Sequence, residues 1–171
     1  MRASILLFAT CLFLVACGGS DDPSASSSSA TSSTASSAPE AVDQTVTVQP
    51  KGNQMKFKQT EFTVAPGTTV KLVFDNTATS PSMQHNVVIL TKPPEQEHFQ
   101  TVGEGGMQAG SANDYVPADM GDLILAHTSM SKPGETVSVT FTAPSETGDY
   151  GYVCTFPGHW ATMQGTMHVR G

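Results

Sequence analysis

Short segments in which apolar and polar residues alternate recur along the chain from residue 44 onward. They are rich in Val, Thr and Phe, and turn sequences such as Ala65-Pro66-Gly67 separate them. Alternation with a period of two is typical of a strand that buries one face, and many short strands at this spacing favour an antiparallel sandwich or barrel with Greek-key connections. Strands are predicted over residues 44–49, 61–65, 69–75, 85–91, 122–127, 135–142, 149–154 and 165–170.

One long segment, residues 95–120, interrupts this pattern because it is polar and contains several glycines. A stretch of that length without secondary structure is unusual in a compact domain, so we expect it to hold a short helix. Residues 41–171 amount to one domain's worth of chain and contain no internal repeat. The predicted fold class is therefore an all-β Greek-key sandwich or barrel with a short helical insertion.

The first forty residues differ in composition from the rest of the chain. Residues 1–16 hold a basic start and an apolar run that is too short to span a bilayer and has the length of a secretory signal core. Their ending, Leu14-Val15-Ala16-Cys17, resembles a bacterial lipoprotein signal, in which cleavage precedes a cysteine that then receives lipid. We expect a lipid anchor on Cys17, with ordinary secretion as the alternative. Residues 17–40, rich in Ser, Ala and Thr, are predicted to be a disordered tether.

A short loop near the C-terminus places a thiolate and an imidazole close together. It reads Cys154-Thr155-Phe156-Pro157-Gly158-His159, and Met163 adds a thioether four residues later. Sulfur is a soft ligand and imidazole suits copper, so one Cys, two His and a weakly bound Met describe a blue-copper electron-transfer site. A second imidazole must come from elsewhere, and His85, at the start of an apolar run that ends at residue 90, is the candidate.

Each of these residues also has a purely structural interpretation. A lone Cys is usually a small buried hydrophobe and a lone Met usually fills a gap in the core. For His85 taken alone, ligand and structural roles are evenly balanced. Zinc is the rival metal, yet structural zinc sites favour paired C-x-x-C units and catalytic ones keep three ligands plus water. The chain has neither pattern, although a site with two His and one Cys can bind zinc when copper is scarce.

Four motifs carry a family resemblance that covers residues 44–171: C-T-F-P-G-H with its Met, G-N-Q-M at 52–55, M-Q-H-N at 83–86, and L-A-H-T at 125–128. The sequence resembles the azurin-type cupredoxins, and most closely the membrane-tethered auracyanins. The resemblance implies a single type 1 copper whose ligands are His85, Cys154, His159 and, at long axial distance, Met163. The backbone carbonyl of Gln84 is implied on the opposite side, where the azurins usually have glycine.

The resemblance also implies roles for residues around the metal. Asn86 is expected to tie the strand of His85 to the ligand loop, and the N–H groups of Asn86 and Phe156 are expected to donate to the Cys154 sulfur. An apolar patch around His159 is expected to dock redox proteins such as cytochromes. Its predicted members are Met55, Met83, Phe156, Pro157 and Trp160, with core packing as the alternative for the two methionines.

The charge balance disfavours one class of partner. The chain carries a formal net charge of −7, and no cluster of Lys and Arg offers the basic face that nucleic acid requires. The cysteines leave no pair for a disulfide, because Cys11 departs with the signal, Cys17 takes lipid and Cys154 takes metal. The other histidines, which are expected to have surface or structural roles, are His98, His127 and His168.

The predicted function is that of a membrane-anchored blue-copper protein that cycles one electron between respiratory or photosynthetic partners. It is not expected to be an enzyme or to bind a small-molecule substrate. As an exported bacterial lipoprotein it should face the periplasm or the cell exterior. Two alternatives stay open: a copper reductase or oxidase, which needs a further copper centre with more histidines, and a copper-handling or surface-interaction lipoprotein that carries the metal as cargo.

Overall fold

Eight β-strands, one α-helix and three short 3-10 helices form the part of the chain that this computed structural model describes, residues 41–171. The predicted signal segment 1–16, the lipidation site Cys17 and the tether 17–40 lie outside the described residues. The helix α1 (Gln96–Ala109) lies between the fourth and fifth strands. The strands are β1 (Gln44–Val48), β2 (Glu61–Val64), β3 (Thr69–Asp75), β4 (Val88–Leu90), β5 (Ile124–His127), β6 (Thr136–Thr142), β7 (Gly148–Val153) and β8 (Gln164–Val169).

The strands form two sheets, which confirms the predicted all-β class. One sheet has three strands in the order β1-β3-β6, and the other has five in the order β2-β8-β7-β4-β5. Most neighbours are antiparallel, as expected, but β1 is parallel to β3 and β2 is parallel to β8. The first two strands lie in different sheets, and each is parallel to a later strand of its own sheet. The chain between the two members of each parallel pair therefore crosses to the other sheet and back.

Alternation along the strands explains which faces are buried. In β3, Val70, Leu72 and Phe74 are buried while the residues between them are half-buried. These side chains meet Tyr152, Met167 and Val169 from the five-stranded sheet in one apolar core. The two sheets therefore pack face to face with the inward positions of each strand between them.

The strand β4 departs from the alternating pattern because both of its faces are covered. Val88, Ile89 and Leu90 are all fully buried. Ile89 faces the core between the sheets, whereas Val88 and Leu90 belong to a second apolar cluster that includes Phe99 and Val102 of α1. A strand that is covered on both faces is expected to be apolar throughout. The insertion predicted at 95–120 thus contains a helix that covers the outer face of the larger sheet.

The main difference from prediction is the start of β4. The expected strand covered residues 85–91, but the ladder begins at Val88. His85 forms only an isolated bridge with Ser131, through His85 N–H to Ser131 O at 3.0 Å and Ser131 N–H to His85 O at 2.8 Å. The residues before β4 therefore present side chains to a site rather than extend the sheet. Among residues 41–171 no helix is long and apolar enough to cross a membrane.

Candidate metal centre

Three buried side chains converge at one end of the core. The Nδ1 atoms of His85 and His159 are 3.1 Å apart, and the Sγ atom of Cys154 lies 3.8 Å and 3.7 Å from them. His85 and Cys154 are 0% exposed and His159 is 4% exposed. Within residues 41–171 this is the single group of three or more His, Cys, Asp or Glu side chains with the spacing of a metal site. The structure thus brings together two imidazoles and a thiol from positions far apart in sequence.

The loop between β7 and β8 positions Cys154 and His159. Cys154 follows the last residue of β7, and its N–H donates to the carbonyl of Met163 at 3.0 Å, which closes the base of the loop. Gly158 has a φ of 82°, a conformation that glycine adopts without steric cost. The chain then enters a 3-10 helix, His159–Ala161, and the Met163 N–H donates to His159 O at 2.8 Å. Met163 is 0% exposed and lies at the end of the same loop.

The other imidazole is fixed from the three-stranded sheet. The ring of His85 packs edge-on against Phe74, with 6.2 Å between ring centroids. The side-chain amide of Asn76 donates to the carbonyls of Met83 and Ser131, both at 3.0 Å. Asn76 is therefore bonded both to Met83, in the segment that leads to His85, and to Ser131, the residue that pairs with His85. Gln84 is half-buried within this segment, and the role of its carbonyl stays a prediction.

Asn86 joins the two segments that carry the ligands. Its Nδ2 donates to Thr155 Oγ1 at 2.8 Å and to the carbonyl of Asp114 at 3.0 Å, and its Oδ1 accepts from the Thr155 N–H at 2.9 Å. The backbone N–H groups of Asn86 and Phe156 are hydrogen-bonded to the Cys154 sulfur. Asn86 thus links the segment of His85 to the loop of Cys154, and the role of Asn86 and Phe156 in orienting a metal ligand stays a prediction.

Protonation of the metal-free site follows from burial. Burial lowers the pKa of His85 to about 4, with a smaller contribution from the neighbouring His159, whose own pKa is lowered by burial. Burial raises the pKa of the Cys154 thiol to about 12, against the effect of its two N–H donors. At neutral pH both imidazoles are therefore neutral and can offer a lone pair, whereas the thiol must lose its proton when a metal binds.

A ligand role for His85 implies one tautomer of its ring. Its Nδ1 faces the cluster, so the proton of the neutral ring must sit on Nε2 for Nδ1 to act as a ligand. Nε2 is buried and has no hydrogen-bond partner among residues 41–171. A buried donor without a partner costs about 1–3 kcal/mol. This cost is acceptable where the other nitrogen gains a metal bond.

The spacing of the three atoms fits a metal ion. From the three separations, the point equidistant from both Nδ1 atoms and Sγ lies about 2.1 Å from each, close to the ~2.0–2.3 Å of metal bonds to imidazole and thiolate. Two imidazoles, one thiolate and a buried thioether are the donor set of a type 1 copper site. The spacing and chemistry of these side chains therefore fit a copper ion.

Residues assigned to other roles occupy separate places. His98 Nδ1 is 3.0 Å from Pro93 O, His127 is exposed, and His168 Nδ1 is 2.7 Å from Asp149. Within the expected docking patch, Met55 is 44% exposed and Pro157 is exposed. The other three members are half-buried: Met83, Phe156 and Trp160.

Some residues that shape the site have no motif in the sequence. Gly103 of α1 lies against Trp160, so closely that a Cβ added there would be 2.2 Å from the indole Cγ. Tyr115 packs edge-on against Phe156, whose ring is 4.8 Å from that of His159. Asp114 and Tyr115 have φ angles of 52° and 55°, unusual for residues other than glycine. For the contact between Gly103 and Trp160, the sequence offers one signal, the glycines of the helical insertion.

Soft donors buried in a near-trigonal set, at one end of a two-sheet β fold, define a type 1 copper protein with the cupredoxin fold. The chain belongs to the plastocyanin/azurin family of copper-binding proteins, whose family model matches residues 44–170. Copper is accordingly the cofactor. The resemblance to azurins and auracyanins that the sequence motifs indicated is confirmed.

Individual relatives agree with this assignment. The chain is 42% identical to auracyanin-A of Chloroflexus aurantiacus over 170 residues, which cover 99% of this chain and 96% of that protein. The solved structure of auracyanin A, titled a "blue" copper protein, superposes with a TM-score of 0.67 at 38% identity, covering 74% of this chain and 98% of that one. Azurin-1 of Alcaligenes xylosoxydans xylosoxydans is 39% identical over 120 residues, or 67% of this chain and 89% of that protein.

Proposed function

We propose that the protein carries single electrons between redox proteins, with one type 1 copper held by His85, Cys154 and His159 and by Met163 as the axial ligand. The observation that carries this proposal is the mutual spacing of the three inner donor atoms, 3.1–3.8 Å, in a buried site. Copper supplies the one-electron couple between its cuprous and cupric states. The protein's part is to keep the donors in place in both states.

The rigidity of the ligand loop supports this role. Cys154 is fixed by β7, by the Met163 carbonyl and by two N–H donors to its sulfur. His159 is fixed by hydrogen bonds at both ends of the 3-10 turn, from its own N–H to Phe156 O at 2.9 Å and from Met163 N–H at 2.8 Å. Donors that cannot move far require little rearrangement when the charge of the metal changes, which favours rapid electron exchange.

Burial of the thiol argues against copper as cargo. A copper-handling protein must let the ligands of an acceptor reach its metal, but Cys154 and His85 are 0% exposed. His159 is the inner donor nearest the surface, next to the exposed Pro157 and Gly158. An electron can pass through an imidazole edge at this position, whereas metal transfer requires the loop to open. We therefore favour an electron carrier over the copper-handling alternative.

The proposal includes anchorage to a membrane by lipid on Cys17, after export and cleavage following Ala16. Its support is the Leu14-Val15-Ala16-Cys17 sequence and the Ser-rich composition of residues 17–40. Acyl chains contribute about 0.8 kcal/mol for each buried CH2, so a multiply acylated cysteine anchors firmly. A tether of this length, if a flexible coil, reaches about 25–30 Å. The domain could then meet redox partners such as cytochromes at the membrane surface, in the periplasm or at the cell exterior.

Two experiments test these parts separately. The full chain loaded with one equivalent of copper should show the strong thiolate-to-copper absorption and the electron spin resonance spectrum of a type 1 site, and it should exchange electrons with a c-type cytochrome. Colourless copper-loaded protein would contradict the ligand assignment. For the anchor, mass spectrometry of protein from bacterial membranes should find an acylated N-terminal cysteine, and Cys17→Ser should release the protein from the membrane fraction. Membrane retention of that variant would contradict lipidation.

A further inference from the structure

A hairpin that carries three lysines lies beside the ligand loop. Residues 49–58, here called the basic hairpin, are closed by a bridge between Pro50 and Phe57 and by a hydrogen bond from Lys51 N–H to Lys56 O at 2.8 Å. A bond from Lys58 N–H to Gln49 O at 2.8 Å continues the pairing. Lysines that are separated in the sequence are thereby gathered into one compact structure, a cluster that the sequence pattern did not indicate.

The basic hairpin is attached directly to the segments that hold the metal ligands. Thr162, which precedes Met163, donates from its hydroxyl to Met55 O at 2.9 Å. Asn53 Oδ1 accepts from the N–H groups of Thr79 at 2.8 Å and Ser80 at 3.0 Å, in the segment that leads to His85. The tip of the hairpin therefore borders the exposed part of the ligand loop.

The core fixes which way the hairpin faces. Phe57 is buried and packs edge-on against Phe74, which in turn packs against His85. The residues on either side of Phe57, Lys56 and Lys58, are exposed, as expected where side chains alternate between core and solvent. Met55 is 44% exposed at the tip. An apolar side chain among charged ones, next to the ligand loop, resembles the apolar centre and polar rim of a protein interface.

The charges of the hairpin are not neutralised locally. No carboxylate among residues 41–171 forms a salt bridge with Lys51, Lys56 or Lys58, and the sequence has no Asp or Glu from 44 to 60. The other flank of the ligand loop has the opposite sign. Residues 93–131 contain no Lys or Arg and carry six carboxylates: Glu95, Glu97, Glu104, Asp114, Asp119 and Asp122. This second flank contacts the ligand loop at Trp160 and Phe156.

We propose that the basic hairpin and the exposed part of the ligand loop, residues 157–162, form a docking surface for a redox protein that presents carboxylates to the lysines. The proposal rests on the proposed function, because it assigns a partner chemistry to the same site. A chain with a net charge of −7 repels acidic proteins at long range. Three cations without salt bridges, on a hairpin that contacts the ligand loop at Thr162, reverse this locally, so an acidic partner is accepted in an orientation that brings its redox group near His159.

The test compares two triple variants of the full, copper-loaded chain. Lys51, Lys56 and Lys58 are changed to Gln in one, and Lys71, Lys92 and Lys132 are changed to Gln in the matched control, so both lose the same charge. Oxidation of the reduced protein by hexacyanoferrate(III), in which one electron passes from cuprous copper to ferric iron, is followed by the return of visible absorption. Five of the six lysines are exposed and Lys71 is half-buried. Each substitution of an exposed lysine is expected to change folding stability by about 0.5 kcal/mol at most, and denaturant unfolding of both variants checks that they are equally folded.

At low ionic strength the hairpin variant should be oxidised about tenfold more slowly than the unmodified protein, and the control should change by less than about twofold. Added salt should remove the difference. Poly-L-glutamate, a model for an acidic surface, should inhibit oxidation of the unmodified protein and of the control but not of the hairpin variant. Equal slowing of both variants, or inhibition by poly-L-lysine instead, would overturn the proposal. Failure of the unmodified protein to exchange electrons at all would overturn the proposed function itself.

Discussion

Substituting Gly103 by alanine should disturb the ligand loop through one clash. A Cβ at Gly103 would lie 2.2 Å from Cγ, 2.4 Å from Cδ1 and 2.6 Å from Cβ of Trp160, whereas comfortable carbon contacts are ~3.5–4.0 Å. None of these atoms is the free end of a flexible side chain. The indole or the helix must therefore move, and Trp160 directly follows His159, a proposed copper ligand, in the 3-10 helix of the loop.

The size of the effect follows from two opposing contributions. Overfilling a packed contact destabilises the folded protein by about 1–3 kcal/mol. Replacing glycine by alanine inside a helix stabilises it by about 0.8–1.0 kcal/mol. Gly103→Ala should therefore lower the free energy of unfolding by up to about 2 kcal/mol. Gly105→Ala is the matched control in the same helix. Its Cβ would meet Cε of Met120 at 2.6 Å and Sδ at 2.9 Å, the mobile end of a side chain that can turn away.

Three measurements separate a positioning effect from simple loss of stability. They are denaturant unfolding of the metal-free protein, the reduction potential of the copper form, and the emission of Trp160, which is the only tryptophan in the chain. Gly103→Ala should change all three, and Gly105→Ala should leave the potential and the emission unchanged. Trp160→Ala removes two of the three clashing atoms, so the double variant should show a coupling free energy of about 1 kcal/mol or more. Strict additivity, or equal potentials in both glycine variants, would refute the reasoning.

The remaining predictions concern the metal centre. Cys154→Ser should abolish the strong visible absorption, whereas Met163→Leu should keep it and shift the potential in an optical redox titration; a blue Cys154 variant would exclude the thiolate as ligand. Asn86→Ala should weaken copper binding about 10–100-fold in a competition titration, because the ligand loop loses its hydrogen bonds to the segment before β4. The control is Asn53→Ala, which removes an amide that does not contact the ligand loop and should weaken copper binding less. Between pH 6.5 and about 4 the metal-free protein should lose about 3 kcal/mol of unfolding free energy, because the unfolded chain protonates His85 first. Denaturant unfolding at several pH values should show this fall in unfolding free energy, and the fall should be smaller in His85→Gln. An equal fall in that variant would mean that another group causes it.

Much of the fold was predictable because its signals are local. Strands such as β1, β3 and β8 bury alternating positions, β4 is buried on both faces, and turns that contain Pro and Gly separate several strands. Cys154, His159 and Met163 were predictable for the same reason, since a single loop carries them. His85 was harder, because 69 residues separate it from Cys154 and only the pairing of β4 with β7 brings them together.

The contacts between elements could not be predicted from local patterns. Gly103 appears as a residue that weakens a helix, and only the packing of α1 on the ligand loop shows why a side chain is excluded there. Asp114 and Tyr115 carry no sign of their left-handed backbone, which the bond from Asn86 to Asp114 O helps to hold. The parallel pairing of β2 with β8 likewise depends on the order in which distant strands assemble.

These non-local contacts hold the loop that carries Cys154 and His159 from several sides. The ligand loop is held on one side by Asn86, on another by the bond from Thr162 to Met55, and on a third by the packing of Trp160 on Gly103. Each contact comes from a different part of the fold, so no single loop motion can release the ligands together. The fold as a whole, and not the loop alone, therefore sets the positions of these side chains. If electron transfer requires that geometry to persist in both oxidation states, the supports outside the ligand motif matter as much as the ligands that the motif reveals.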